Sequence, residues 1–154
     1  NRDMAEDILG EKIVISKVLV RNEDGDFLVV REREDRDKET AGKWELPGGR
    51  LKYGESQFEA GARELEEEVG LEVNPDEGED VVRIEVEDDS LVSCYIVYFP
   101  DFKGEASIRD ESHLSEFRWV SAEEFIEMDW HSNAGYDIVP MKDLKKYLEK
   151  ENIY

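Results

Sequence analysis

The chain lacks the usual means of holding together a small secreted protein. Cys94 is the only cysteine in 154 residues, so no intrachain disulfide is available. It lies within Leu91-Val92-Ser93-Cys94-Tyr95-Ile96-Val97-Tyr98-Phe99 and reads as a small core residue on a strand, a usage that fits a reducing cytoplasm. No apolar run is long enough to span a bilayer, and the amino terminus shows no secretory pattern, so the expectation is a cytoplasmic protein without a membrane partner. Proline is scarce, at four residues, and no repeat, low-complexity tract or linker divides the chain. One domain over residues 1–154 is therefore expected, with residues 1–10 as a flexible polar arm. A chain of this length buries roughly two thirds of its unfolded surface, enough for a core without disulfides or structural metal.

Basic residues are also in short supply. Lysine and arginine total 20 against 41 acidic residues, giving a formal net charge of −21 and a pI near 4.4. Such a surface repels nucleic acid and anionic membranes, so neither is an expected partner. Dense carboxylates also suit a salt-rich cytoplasm, and lysine and arginine are too evenly used to decide that origin. A protein this acidic that holds a phosphate needs local cations or a bound metal.

Hydrophobic patterning supplies the elements. Ile13–Val20 and Phe27–Arg33 read as strands joined by the hairpin turn Asn22-Glu23-Asp24-Gly25-Asp26. Arg31 and Arg33 share a face of the second strand. An exposed loop follows to Lys43, then a sharp loop through Trp44-Glu45-Leu46-Pro47-Gly48-Gly49. Ser56–Val69 reads as a helix with a Ser56/Glu59 capping box and a stop at Gly70. Val81–Glu87, Leu91–Phe99 and Phe117–Val120 read as strands, Ser121 caps a short helix, and Pro140 begins a last helix through Glu149. Strands alternating with helices indicate an α/β fold, a mixed sheet with helices packed on it.

The Ser56–Val69 helix carries a local defect. On a helical wheel Phe58, Ala62, Leu65 and Val69 form the core stripe, and Glu64, Glu67 and Glu68 gather opposite. Each like-charged pair costs about 0.2–0.5 kcal/mol, and the last turns of a helix disfavour negative charge. A divalent cation converts this defect into a site, because hard oxygen ligands suit Mg²⁺ or Mn²⁺. Ala60 and Gly61 leave room beside the carboxylates for a phosphate or a packed neighbour.

Around this helix the sequence runs Gly49-Arg50-Leu51-Lys52-Tyr53-Gly54-Glu55-Ser56-Gln57-Phe58-Glu59-Ala60-Gly61-Ala62-Arg63-Glu64-Leu65-Glu66-Glu67-Glu68-Val69-Gly70-Leu71. It resembles the motif of the Nudix hydrolases, MutT-like pyrophosphohydrolases, with every fixed position filled. A shuffled chain of this composition would match on the order of once in a hundred thousand. Trp44-Glu45-Leu46-Pro47-Gly48 and Phe117-Arg118-Trp119-Val120-Ser121 also resemble the family.

The resemblance implies a Nudix-type α/β/α sandwich with a catalytic loop–helix–loop. It implies Mg²⁺, with Mn²⁺ as the alternative, held by Glu64, Glu67, Glu68 and the Gly49 carbonyl. Arg63 and Glu55 would pair to hold loop to helix, and Gly70 would end the helix. The general base is expected at Glu67 or Glu68, with Glu116 as the alternative. Arg31, Arg33, Lys43, Arg50 and Lys52 are the candidates to grip substrate phosphates. His113 and His131 read as polar loop residues, Trp44 and Trp119 as packing, while Tyr53 and Phe102 are open candidates to face a base.

The implied reaction is hydrolysis of a pyrophosphate bond in a nucleoside diphosphate linked to another moiety. A nucleoside triphosphate or damaged nucleotide is the leading substrate, with ADP-ribose or a nucleotide sugar behind it. Segment Glu85-Val86-Glu87-Asp88-Asp89 carries neither the proline of many ADP-ribose hydrolases nor the tyrosine of dinucleoside polyphosphate hydrolases. A catalytically silent ligand-sensing module is a second class, disfavoured by the complete carboxylate set. An isoprenyl diphosphate isomerase is a third, and it would need Cys94 as a catalytic thiol. By analogy with relatives, a homodimer is the expected partner state.

Overall fold

The computed structural model describes residues 12–36, 41–85, 91–128, 146 and 148–150. The expected arm, His131 and most of the expected Pro140–Glu149 helix lie outside the described residues. Residues 146 and 148–150 are helical, and Leu148 is buried.

Two sheets form the centre. Strands β1 (Lys12–Val20), β4 (Gly48–Arg50), β5 (Glu79–Glu85) and β6 (Leu91–Phe99) make a mixed sheet in the order β4-β1-β6-β5. Strand β1 runs parallel to β6 and antiparallel to β4. Strands β2 (Phe27–Glu32), β3 (Trp44–Glu45) and β7 (Leu114–Val120) make an antiparallel sheet in the order β3-β2-β7. The hairpin expected between the first two strands is corrected here. The turn forms, with Asn22 Oδ1 accepting from the N–H groups of Asp24 and Asp26 and Gly25 at φ 81°. The strands then part into different sheets, joined by the single bridge Arg21–Phe27, because both edges of β1 are already taken by β4 and β6. The sharp loop before the motif is itself strand, supplying β3 and β4.

Helix α1 (Gln57–Val69) follows the sequence reading closely. The Ser56 hydroxyl accepts from Glu59 N–H at 3.0 Å, and Glu59 Oε1 accepts from Ser56 N–H at 2.9 Å. Gly70 ends the helix at φ 78°. Ala60, Gly61, Leu65 and Val69 are buried. A Cβ on Gly61 would lie 3.0 Å from Val18 Cγ2 and 3.1 Å from Ser16 Oγ, so this side of the helix takes a packed neighbour. Ser16 Oγ also donates to the carbonyl of Gln57 at 2.7 Å, tying β1 to the first turn of α1.

One core cluster joins α1 to both sheets through Val18, Leu28, Val30, Leu65, Val97 and Leu114. A second joins Leu19, Phe27, Val29 and Ile96 to Phe125 of α2 (Ala122–Glu127) and to Leu148. Helices thus cover the sheets from two sides, the α/β sandwich anticipated above. Burying these side chains contributes about 1.5–3 kcal/mol each.

The segment after β6 is fastened to the end of α1. Ser107 N–H donates to the Val69 carbonyl at 3.0 Å, and Arg109 N–H to the Glu68 carbonyl at 2.8 Å. These bonds satisfy carbonyls that a helix end leaves without intrahelical partners.

Candidate active site

The end of α1, the β3–β4 turn and the facing parts of β1 and β2 enclose a cleft of about 230 Å³. Its lining includes Lys17, Glu32, Arg36, Glu45, Gly48, Gly49, Arg50, Glu64, Glu68, Asp110 and His113. The glycines bring backbone against carboxylate. A Cβ on Gly49 would sit 2.3 Å from Glu64 Oε2, and Gly48 N–H donates to Glu68 Oε1 at 3.1 Å. At φ 148°, with a hypothetical Cβ only 2.1 Å from the Ser16 carbonyl oxygen, position 48 admits only glycine.

The three box carboxylates differ in their surroundings. Glu67 is exposed, and its Oε1 accepts from Arg63 Nη1 at 3.1 Å. Glu64 Oε2 accepts from the same nitrogen at 3.3 Å. Burial pushes the Glu64 carboxyl above its ordinary value, with Arg63 opposing and Glu67 reinforcing the rise. Burial raises Glu68 much further; Lys17 pulls it back, while Glu64 and Glu45 push it up. Among the described residues no three His, Cys, Asp or Glu side chains stand together at metal-holding spacing. Glu64 and Glu68 turn toward Gly49 and Gly48, and Glu67 is held outward by Arg63.

Arg63 fulfils the pairing read from the sequence. Its Nε and Nη2 donate to Glu55 at 2.7 and 3.0 Å, and Nη2 also donates to the Arg50 carbonyl at 3.1 Å. The Arg63 guanidinium holds the Glu55 carboxyl below its usual range despite partial burial. Glu55 Oε1 further accepts from Lys52 N–H at 2.7 Å. Loop and helix are thereby locked around the carboxylates.

Of the five basic residues singled out in the sequence, Arg50 lines the cleft. Arg31 donates to the Gly42 carbonyl and pairs with Glu34 and Glu116. Arg33 pairs with Asp35 at 2.7 Å. Arg31, Arg33 and Glu116 line a different cleft, so Glu116 is not brought to Glu64 and Glu68. Lys43 precedes β3, its carbonyl accepting from Glu32 N–H at 3.1 Å, and Lys52 lies in the exposed turn before α1.

The sequence reading missed several lining residues. Lys17 is 2% exposed, its ammonium 2.8 Å from Glu45 Oε1. A lysine inside an apolar run, two residues after Ile15, was the signal available for it. Arg36 lies 3.3 Å from Glu32 through Nε. Asp110 is the loop acid that reaches the cleft, accepting from Ser112 Oγ at 2.8 Å and lying 2.9 Å from His113 Nδ1. The aromatics are elsewhere. Phe102 stacks on Trp119 at 5.6 Å, the Arg118 guanidinium lies over Trp44, and Tyr53 is 73% exposed. Cys94 is buried, as expected.

The donor set fits a hard divalent cation. Carboxylate oxygens of Glu64 and Glu68 are partly withdrawn from water, and burial raises the pKa of both, with Glu67 adding to the rise at Glu64 and Glu64 to the rise at Glu68. Added positive charge relieves that cost.

Comparison with known proteins identifies the family. The family model of the NUDIX domain matches residues 12–140. The chain is 36% identical over 124 residues to a Mycobacterium tuberculosis protein named "Putative 8-oxo-dGTP diphosphatase 2", covering 77% of this chain and 79% of that protein. It is 31% identical over 115 residues to the CTP pyrophosphohydrolase of Escherichia coli, covering 74% and 78%. The crystal structure of a MutT protein from Methanosarcina mazei superposes with a TM-score of 0.71 at 27% identity, over 92% of this chain and 95% of that one. With its motif complete and its fold matched along nearly the whole length, the chain belongs to the Nudix family, as a MutT-like hydrolase of phosphorus anhydrides.

Proposed function

We propose that this Nudix hydrolase of pyrophosphate bonds in nucleotides acts on nucleoside triphosphates, damaged forms included, with Mg²⁺ or Mn²⁺. The observation that carries the reading is one cleft holding Glu64 and Glu68 against Gly48 and Gly49 beside three cations, Lys17, Arg36 and Arg50. Those cations answer how so acidic a chain holds phosphate. Relatives named for 8-oxo-dGTP and for CTP support a triphosphate substrate. The negative surface disfavours a nucleic-acid partner, and a buried lone cysteine suits a reducing cytoplasm.

Glu64, Glu67, Glu68 and the Gly49 carbonyl are the groups to hold the cation. When bound, it supplies charge neutralisation at the phosphate oxygens and acidifies water. Arg50, Lys17 and Arg36 orient the remaining phosphate charge. A carboxylate takes the attacking water's proton as oxygen bonds to phosphorus. The P–O bond to the bridging oxygen breaks, and its electron pair leaves on the departing phosphate group. Glu67 or Glu68 serves as the base, and Asp110 replaces Glu116 as the loop alternative, because it lines the same cleft.

A panel of nucleoside triphosphates, ADP-ribose and nucleotide sugars, assayed with Mg²⁺ and with Mn²⁺, tests the proposal. Nucleoside monophosphate and pyrophosphate from triphosphates are the expected products. Metal-independent turnover, or none with any triphosphate, overturns it.

A further inference from the structure

We propose that Lys17 is a built-in cation of the active-site cleft, holding Glu45 out of the ligand set so that the nucleotide-free enzyme takes up one divalent ion there and not two. The inference rests on the metal-dependent reading above. Lys17 lies on β1, outside the loop–helix motif, on the strand face that also carries Ile15 and Leu19. Those neighbours are 2% and 0% exposed, and Lys17 itself is 2% exposed. An ammonium in such a row is costly to desolvate, and an apolar side chain of similar size would serve packing as well or better. Packing gives no reason for a lysine here; the cleft does.

The surroundings are those of a counter-ion. Lys17 Nζ lies 2.8 Å from Glu45 Oε1, and both residues line the cleft with Glu64 and Glu68. Across the ladder Lys17 faces Gly48, whose N–H donates to Glu68 Oε1 at 3.1 Å. Neighbouring bonds fix the position. Val18 N–H donates to the Pro47 carbonyl at 2.8 Å, and Ser16 Oγ to the Gln57 carbonyl at 2.7 Å. Burial raises the carboxyls of Glu64 and Glu68, and the Lys17 ammonium opposes the rise at both.

The charges then count the ions. Arg63 takes Glu55 through Nε and Nη2 and reaches Glu67 through Nη1. Arg36 lies against Glu32, and Lys17 takes Glu45. Glu64 and Glu68 stand against the Gly48–Gly49 turn, and one divalent ion balances that pair of carboxylates. A second ion would have to draw on Glu45 and approach an ammonium held 2.8 Å from it. Like charges at such range repel strongly where water is scarce. Lys17 thus supplies, at the inner wall of the cleft, the positive charge that a second ion would otherwise bring.

Equilibrium dialysis of the full chain against Mn²⁺ without nucleotide tests this, with the Glu64→Gln/Glu68→Gln chain as the blank for ions on the acidic surface. Wild type should retain one ion more than the blank. Lys17→Gln keeps a donor for Glu45 but removes the charge, so it should bind Mn²⁺ about tenfold more tightly. Mn²⁺ should also raise its melting temperature more than that of wild type. A lysine that only braces the fold predicts the reverse, a loosened site with weaker binding. Two or more ions above the blank in wild type, or equal or weaker binding by Lys17→Gln, overturns the inference. If Lys17→Gln folds neither with nor without Mn²⁺, the wild-type count decides alone. No ion above the blank removes the metal-dependent reading and this inference with it, whereas a count of two removes this inference only.

Discussion

Arg63 grips Glu55 with two donors, Nε to Oε2 at 2.7 Å and Nη2 to Oε1 at 3.0 Å, while its Nη1 reaches Glu64 and Glu67. One guanidinium thus fixes the loop that opens the motif and orients two carboxylates that would hold the cation. Arg63→Ala should weaken Mg²⁺ binding by about tenfold without abolishing it, the usual scale for groups that orient metal ligands. Calorimetric titration with Mg²⁺ measures this, and an unchanged affinity refutes the orienting role.

The same pair sets an acid limit on stability. Glu55 has a folded pKa below its ordinary 4.5, so the pair's contribution is complete above about pH 4.5 and is lost as pH falls through the lower folded value. Glu55→Gln should lower stability at pH 7 by on the order of 1–2 kcal/mol. The gap between wild type and variant should close below pH 4.5. Thermal melts across that range check both the size and the direction.

Adjacent glycines should fail differently. A Cβ at Gly48 meets backbone, the Ser16 carbonyl oxygen, and the residue keeps a φ of 148°, so Gly48→Ala should cost more than about 3 kcal/mol or prevent folding. A Cβ at Gly49 meets the mobile end of Glu64, so Gly49→Ala should fold with a loss of about 1 kcal/mol. Its Mg²⁺ affinity should nevertheless drop about tenfold or more, because the displaced group would be a ligand. Melts and metal titrations on both proteins separate the two outcomes.

Lys17 and Glu45 form a buried ion pair, at 2% and 11% side-chain exposure. Lys17→Met leaves Glu45 without its ammonium beside two further carboxylates and should cost about 3–5 kcal/mol. Adding Glu45→Leu should restore most of that loss. A denaturant series on the single and double variants measures the coupling, and additive losses would contradict it.

Glu67→Gln or Glu68→Gln should reduce turnover by about a hundredfold or more, as loss of a transition-state contact does. Steady-state assays on the preferred triphosphate settle this, and a double variant with unimpaired turnover would refute the assignment.

The helix and its caps were readable because Ser56, Glu59 and Gly70 act on neighbours three or four positions away. Glu55 and Arg63 were readable from the motif. The division into two sheets was not, because nothing local to Asn22–Asp26 reveals that β4 and β6 occupy both edges of β1. For the same reason Arg31 and Arg33 looked like phosphate ligands. Their spacing shows a shared face, but only the register with β7 places Glu116 opposite Arg31, while Arg33 is taken by Asp35, two residues further along. Lys17, Arg36 and Asp110 come from three segments far apart in sequence, and only the fold assembles them with the α1 carboxylates.

Fastening of the segment after β6 to the last carbonyls of α1 has an evolutionary corollary. The spacing between Glu68 and Asp110 is governed by main-chain bonds from Ser107 and Arg109, so rotamer changes do not alter it. Lys103 and Glu72 exchange main-chain bonds as well, so the fastening runs along the segment from Lys103 to Arg109. A single residue added between Ser107 and Asp110 would slip the acid out of phase with Glu68, so the length of this segment is constrained by the helix end it is bonded to.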